Sequence, residues 1–292
     1  MLFERLCIIG PGLIGGSIAR MAREKGGVAR HVVTFAASEA SRARVRELGF
    51  ADEVADSLAE AVRGADGVIL CIPVGAYAAV MAQIAPHLAE GCILTDAGST
   101  KGSVVRDLSP FLPPSVHLVP AHPMAGTEHS GPDSGFATLF EGRYCIITPL
   151  EGVPPEAVAK VRALWEAAGS LVETMDVATH DKVVAMVSHL PHLIAFTICG
   201  TADDLAEETR EAVLKFAASG FRDFTRIAAS DVAMWRDVFL NNREALLEML
   251  ARFTEDAHAL GRAVRYGETE FIEDRISRGR SIRRGLIERK QA

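Results

Sequence analysis

Residues 7–17 read CIIGPGLIGGS, an apolar run followed at once by glycines at 10, 12 and 15. The spacing is GxGxxG, and it falls where a strand over residues 6–9 hands over to a helix over residues 13–24. In that setting each glycine has a task. Gly10 permits the tight turn, Gly12 lets a pyrophosphate approach the backbone, and Gly15 lets helix and strand pack closely. The free N–H groups at the helix start, where Leu13 and Ile14 follow Gly12, then face the phosphates. Glycines at turns are common, so the spacing alone is weak. The strand before it and the helix after it mark a dinucleotide site rather than a structural turn.

Outward from this turn, strand-like and helix-like segments alternate. Residues 31–35 read as a second strand and 41–48 as a charged amphipathic helix, with further strands over 67–72, 92–95, 117–119 and 144–148. Residues 154–168 read as a helix opened by prolines, and 171–174 as a last strand. This alternation predicts an α/β fold, a Rossmann-type doubly wound parallel sheet with helices on both faces, over residues 1–176.

From about residue 177 the pattern changes, and residues 177–292 read as an all-α second domain. Residues 183–198 are apolar almost all round, which predicts a helix buried on every side. Trp235, Phe239, Asn242, Leu246, Leu250 and Phe253 recur every three or four residues, and no Gly or Pro interrupts 231–260. A continuous helix of that length would run about 45 Å, more than a small domain needs to cover itself. Its surplus apolar surface predicts a homodimer through the helical domain. The basic tail over 275–290 reads as a solvated final helix, with a nucleic-acid patch as the alternative.

Composition narrows the function classes. The chain of 292 residues has a net charge of −7, which argues against a general nucleic-acid binder but not against small anionic substrates. Its five cysteines stand in apolar runs with no CxxC pair, the pattern of buried thiols in a reducing compartment. Without a recognisable signal peptide or a membrane-length apolar run, the expectation is a soluble cytoplasmic protein with no membrane partner.

At the end of the second predicted strand, an NAD site usually places an acid that holds the ribose 2′-hydroxyl. The chain reads TFAAS over residues 34–38, so Ala36 takes that position. A 2′-phosphate is then not repelled, and Ser38, Ser41 or Arg42 can contact it. The cofactor expectation is NADP or NAD, with Ala36 favouring tolerance of NADP; Glu39, close by, keeps the choice open.

Residues 122–131 read HPMAGTEHSG. His122 follows strand residues 118–121, near the carboxyl end of the sheet, where ligands bind in such folds. A histidine titrating near neutrality suits the removal of a hydroxyl proton during hydride loss, although a structural histidine is the commoner case for one seen alone. In TDAGSTK over 95–101, Ser99 reads equally well as a ligand contact in the same crevice or as a helix N-cap. His189 and His192 lie three apart in SHLPH, but Pro191 interrupts the helix and no third ligand has matching spacing, so no metal is expected. His192 reads as a pocket-lining residue and His189 as a structural one. In GFRDFTR over 220–226, Arg226 reads as a clamp for a substrate carboxylate, and Arg222 as a partner of Asp223 or another acid.

Taken together, GPGLIGGS at 10–17, DAGSTK at 96–101, HPMAGTEHSG at 122–131, SHLPH at 188–192 and SGFRDFTR at 219–226 resemble the prephenate/arogenate dehydrogenases of tyrosine biosynthesis. Trp235 within MWRD extends the likeness. The resemblance implies an oxidative decarboxylation: His122 draws the proton from the ring hydroxyl, hydride leaves ring carbon C4, and the ring carboxylate departs as carbon dioxide. It implies that Ser99 positions hydroxyl and nicotinamide, that Arg226 holds a carboxylate, and that Glu128 and Asp223 belong to an ionic network near Arg226. It implies too that His192 lines the substrate side, leaning toward prephenate. Two rivals stand beside it. A β-hydroxyacid dehydrogenase would call for a catalytic lysine in the buried helix, where none matches. A non-catalytic NADP(H) sensor predicts loss of His122, Ser99 or Arg226, all of which are present.

Overall fold

A computed structural model describes residues 1–127 and 129–288. The N-terminal strand β1 (Phe3–Ile9) is buried at Phe3 and from Leu6 to Ile9, and it leads through the glycine turn into α1 (Leu13–Lys25). There follow β2 (Ala29–Phe35), α2 (Glu39–Leu48), β3 (Glu53–Val54), α3 (Leu58–Val62), β4 (Gly67–Leu70), α4 (Tyr77–Ile84), β5 (Ile93–Asp96), α5 (Lys101–Leu108) and β6 (His117–Leu118). The six strands form one sheet in the order β3-β2-β1-β4-β5-β6, and every pairing is parallel. This is the order of a dinucleotide-binding sheet, with its switch point between β1 and β4 beside the glycine turn.

Because side chains alternate across a strand, β1 feeds two cores. Leu6 and Ile8 pack on one face with Ile18, Met21, Phe140 and Trp165, while Cys7 and Ile9 pack on the other with Val68, Tyr77, Met81 and Leu94. Each such buried side chain stabilises the fold by roughly 1.5–3 kcal/mol.

The sheet is smaller than the sequence pattern predicts. β7 (Ala121–Pro123), β8 (Tyr144–Ile147) and β9 (Leu171–Thr174) form a separate three-stranded sheet, antiparallel between β7 and β8 and parallel between β8 and β9. The segments at 144–148 and 171–174 are strands as expected, but they do not extend the large sheet. Pro120, which has no N–H to donate, stands between β6 and β7, where the chain leaves one sheet for the other. Helix α6 (Pro155–Ala167) covers the β1 face through Val161, Leu164 and Trp165.

After β9, Asp176 caps α7 (Val177–Val184) by accepting the Thr179 N–H. The helix does not stop at Pro191. It widens into a π turn over Ala185–His189, closed by the Leu190 N–H on the Ala185 carbonyl, and continues as α8 (Leu190–Asp203). The wider turn accommodates a residue that has no N–H for an ordinary helical bond. Nor is this helix buried on every side: Met186 and Val187 are more than half exposed at 55% and 57%. Its 27 residues are long and apolar enough to cross a membrane. His180, Asp181 and His189 nevertheless tie it by hydrogen bonds to β7, α5 and Asn242.

Helices α9 (Glu207–Lys215), α10 (Ser219–Thr225) and α11 (Val232–Asn241) complete a compact unit of residues 1–243. The long helix expected over 231–260 is broken at Asn242, whose backbone leaves the helical region at φ −114° and ψ 33°. Its side-chain amide donates inward to the Asp181 carbonyl at 2.8 Å and to His189 Nδ1 at 3.0 Å. Residues 244–292 form a second unit. In it α12 (Arg243–Tyr266) and α13 (Thr269–Glu288) are joined at Gly267, and Arg275 pairs with Asp256 at 3.1 Å. Leu247, Phe253, Leu260 and Val264 on α12 and Ile276, Ile282, Leu286 and Ile287 on α13 stand exposed. The part of the basic tail at 289–290 lies outside the described residues.

The glycines of the first turn separate two kinds of constraint. A Cβ on Gly15 would meet the Gly10 carbonyl oxygen at 2.3 Å and Ile8 Cγ2 at 2.9 Å, whereas a Cβ on Gly12 would meet nothing within 4 Å. Gly15→Ala is therefore expected to lower unfolding free energy by about 1–3 kcal/mol, the usual scale of overpacking. Gly12→Ala is expected to leave stability within about 0.5 kcal/mol while weakening dinucleotide binding. Denaturant melts paired with cofactor titrations check both; equal stability losses would show that the two glycines do the same job.

Candidate active site

The glycine turn supplies one wall of the site. Gly10 adopts φ +94°, and a Cβ there would lie 2.4 Å from the Cys71 carbonyl oxygen at the end of β4. The open space beside Gly12, at the N-terminus of α1, is the cradle a pyrophosphate needs, so the residues present fit a dinucleotide. Leu13 and Ile14 open that helix. At the end of β2, Ala36 is buried and Ser38 caps α2 by accepting the Ser41 N–H. Arg42 lies over the Phe35 ring, donates to the carbonyls of Ala36 and Ala37, and pairs with Glu39. The Ser38 hydroxyl also donates to the Ser41 hydroxyl, so all three expected 2′-phosphate contacts already hold protein partners.

A buried ion pair organises the opposite wall. Lys101 Nζ and Asp96 Oδ2 meet at 2.6 Å with neither side chain exposed. Asp96 Oδ2 also accepts the Gly98 N–H and the Tyr77 hydroxyl, and Asp96 Oδ1 accepts the Ala121 N–H. Lys101 Nζ donates in addition to the Ala121 carbonyl. Burial draws the lysine below its ordinary range, and Asp96 opposes that shift. The loop carrying Ser99 is thus moored at both ends to the residue that precedes His122. Ser99 is half-buried, and the N-cap of α5 is Thr100, whose side chain makes no capping bond. The helix start is capped instead by Asp181, which accepts the N–H groups of Lys101 and Gly102 at 2.8 Å each.

His122 sits in β7 of the small sheet, not at the end of a strand of the large one. Its Nδ1 lies 2.9 Å from His180 Nε2, and His180 Nδ1 lies 2.8 Å from Asp181 Oδ1. Its Nε2 has no hydrogen-bond partner among the described residues. Burial pushes His122 well below the ordinary histidine range, with the charges of His180, Lys101 and His189 adding to the effect. Burial likewise lowers His180, against the pull of its bond to Asp181. Burial raises Asp181, but its hydrogen bonds from His180, Lys101 and Gly102 outweigh that and hold it below its ordinary value.

The two histidines of SHLPH diverge. His189 is buried, its Nδ1 accepts from Asn242, and burial brings its pKa to about 4. His189 Nε2 and Trp235 Nε1 are buried without partners among the described residues. His192 stacks on Trp235 at 3.7 Å and its Nδ1 donates to the Ser188 carbonyl. Burial lowers His192, and the charge of Arg226 lowers it further, which places Arg226 in its neighbourhood. Arg226 and Asp223 are exposed at the end of α10 and just beyond. Among the described residues neither makes an ion pair, and Arg222 does not pair with Asp223. Glu128 lies outside the described residues.

The structure adds His180, Asp181, Lys101, Asp96 and Asn242 to the site. The adjacent His180-Asp181 pair at the start of an apolar helix was the available signal. Lys101 stands inside DAGSTK, but nothing in the sequence shows it buried.

Fold and site together define a dinucleotide-binding protein of the dehydrogenase kind, with a buried histidine held below its ordinary range. Residues 18–174 match the family described as prephenate dehydrogenase, nucleotide-binding domain, and 176–276 match prephenate dehydrogenase, dimerization domain. The chain is 38% identical to the cyclohexadienyl dehydrogenase of Zymomonas mobilis over 285 residues, covering 98% of this chain and 97% of that one. It is 33% identical to the prephenate dehydrogenase of Bacillus subtilis, over 93% of this chain and 72% of the relative. Prephenate dehydrogenase from A. aeolicus, solved with hydroxyphenyl propionate and NAD+, superposes with a TM-score of 0.88 at 33% identity, covering 97% and 98%. The chain belongs to the prephenate dehydrogenase family, and it is an NAD(P)-dependent enzyme of that family.

A base must be unprotonated to act, and the folded site holds His122 below its unfolded value of 6.5. The acid limb of kcat/KM is therefore expected below pH 6.5, and an acid limb above that value would show His122 to be more polar than its surroundings imply. Stability carries the same sign. The unfolded chain takes up protons on His122, His180 and His189 as pH falls below about 6.5, while the native imidazoles do not until their depressed pKa values are reached.

Proposed function

We propose that the protein catalyses the oxidative decarboxylation of prephenate to 4-hydroxyphenylpyruvate, or of arogenate to tyrosine. The observation that carries this reading is His122: buried, held neutral, with Nδ1 engaged by His180 and Nε2 without a hydrogen-bond partner among the described residues. His122 Nε2 takes the proton of the ring hydroxyl, so that the carbon–oxygen bond gains double-bond character as C4 loses hydride. Nicotinamide, when bound, accepts that hydride. Loss of the ring carboxylate as carbon dioxide then leaves an aromatic ring. Ser99 orients the hydroxyl from the loop moored to Ala121. His192, stacked on Trp235, lines the substrate side, and Arg226 close by receives a carboxylate. Asp223 is a further polar residue on the same segment as Arg226, and Glu128 keeps the role that the family likeness implies for it.

The cofactor is held by Gly10, Gly12, Leu13, Ile14 and Gly15, and its choice is set at Ala36, with Ser38 and Arg42 as neighbours. Support for tolerance of NADP comes from the missing carboxylate at Ala36, while Arg42 has to exchange Glu39 for the 2′-phosphate. The helical part from residue 177 to 292 forms the substrate side and the contact of a homodimer. The exposed apolar residues of α8, α12 and α13 support that assembly. The partners are small molecules, with neither nucleic acid nor membrane, and the place is the cytoplasm, in keeping with five free cysteines.

Initial rates in a grid of prephenate or arogenate with NAD or NADP test the reading. Activity in at least one combination is expected, and none from folded, cofactor-binding protein rejects it. His122→Asn is expected to keep cofactor affinity and to lower kcat by roughly 10²–10⁴-fold, the scale of general base catalysis. Ala36→Asp is expected to move the NAD/NADP ratio toward NAD, and an unchanged ratio places the ribose contact elsewhere.

A further inference from the structure

We propose that His180 and Asp181 are positioning residues that fix the tautomer of His122, leaving its Nε2 as a bare lone pair facing the substrate. The proposal rests on the reading of His122 as the base.

Four hydrogen bonds connect the start of α5 to His122 through Asp181 and His180. Asp181 is an acceptor, committed on both oxygens to the backbone N–H groups that open α5. The positive end of that helix favours the ionised carboxylate. His180 Nδ1, 2.8 Å from Asp181 Oδ1, must therefore carry a proton and donate it. A neutral imidazole has one N–H, so His180 Nε2 holds a lone pair. That lone pair lies 2.9 Å from His122 Nδ1, which must then be the protonated nitrogen of His122. Its Nε2 is left unprotonated, the only state in which it can take a hydroxyl proton.

The charged and titratable groups around the relay agree with this assignment. Lys101 from α5, Asp96 from β5 and His189 from the π turn all act on the pair. Lys101 and Asp96 are paired with each other, and Lys101 presents only donors, directed at Asp96 and Ala121. His189 Nδ1 is occupied by Asn242. None of them offers His122 Nδ1 another acceptor. When His122 takes up its proton, both its nitrogens donate, and the positive charge is met through His180 by Asp181. The relay thus orients the ring, selects the tautomer and supports the product of proton transfer, as the carboxylate of a serine-protease triad does for its histidine.

The first measurement is the tautomer itself, by long-range 1H–15N correlation on histidine-labelled full-length protein near pH 7, with His122→Asn used to assign the signals. The expected spectrum has the His122 proton on Nδ1 and a bare Nε2; a proton on Nε2 overturns the proposal without needing any relay variant to fold. The second is kinetic. His180→Gln keeps a carbonyl acceptor for the His122 Nδ1–H, whereas His180→Leu keeps none. His180→Leu is expected to lower kcat by roughly 10²-fold or more with substrate KM within about twofold, and His180→Gln to recover most of that loss. Equal rates in the two variants reject the relay. If His122→Asn itself retains turnover, the base reading falls; if it is inactive while His180→Leu is active, the relay alone falls.

Discussion

The buried pair of Lys101 with Asp96 is the constraint from which the site is built. It joins the end of β5 to the start of α5, and through Ala121 it anchors the strand that carries His122. Every polar atom in it has a partner, which is the condition for keeping charges inside a protein. Removing either member would leave an uncompensated buried charge at a cost of about 3–5 kcal/mol. The same loop that this pair braces carries Ser99, so folding energy and site geometry are held by the same contacts.

Around that pair, the site works by exclusion of water. His122, His180 and His189 are all buried and all drawn below the ordinary histidine range. A surface histidine near pH 7 would be partly protonated and hence a partial base. Burial disfavours the protonated imidazoles, and Asp181 is the carboxylate hydrogen-bonded to His180. The carboxylate itself stays ionised because a helix start and a histidine donate to it.

The helical part shows the same economy of means. Asn242 breaks the long helix so that its amide can bridge the Asp181 carbonyl and His189. The π turn keeps Pro191 within a continuous helix and sets His189 edge-on and His192 face-on to Trp235, with His189 also bonded to Asn242. Apolar side chains stand exposed on α8, α12 and α13.

The nucleotide-binding half was legible from the chain because its signals are local: glycine spacing and strand and helix periods are properties of neighbours in sequence. His122 and Ser99 could be singled out for the same reason, since each ends an apolar segment. The second sheet was not legible, because a short apolar strand carries no mark of the partner it will choose. The break at Asn242 was hidden as well: asparagine fits a helix period, and its inward hydrogen bonds connect residues 53 and 61 positions apart. The His122–His180 contact spans 58 positions. Hydrogen bonds are short and directional, so their pairing across such separations is decided when the chain folds. The sequence by itself determined the cofactor turn, the alternation of strands and helices in the first half and the change to helices after it. Only the tertiary structure decided that Nδ1 of His122 meets His180 and that its Nε2 is left without a hydrogen-bond partner among the described residues.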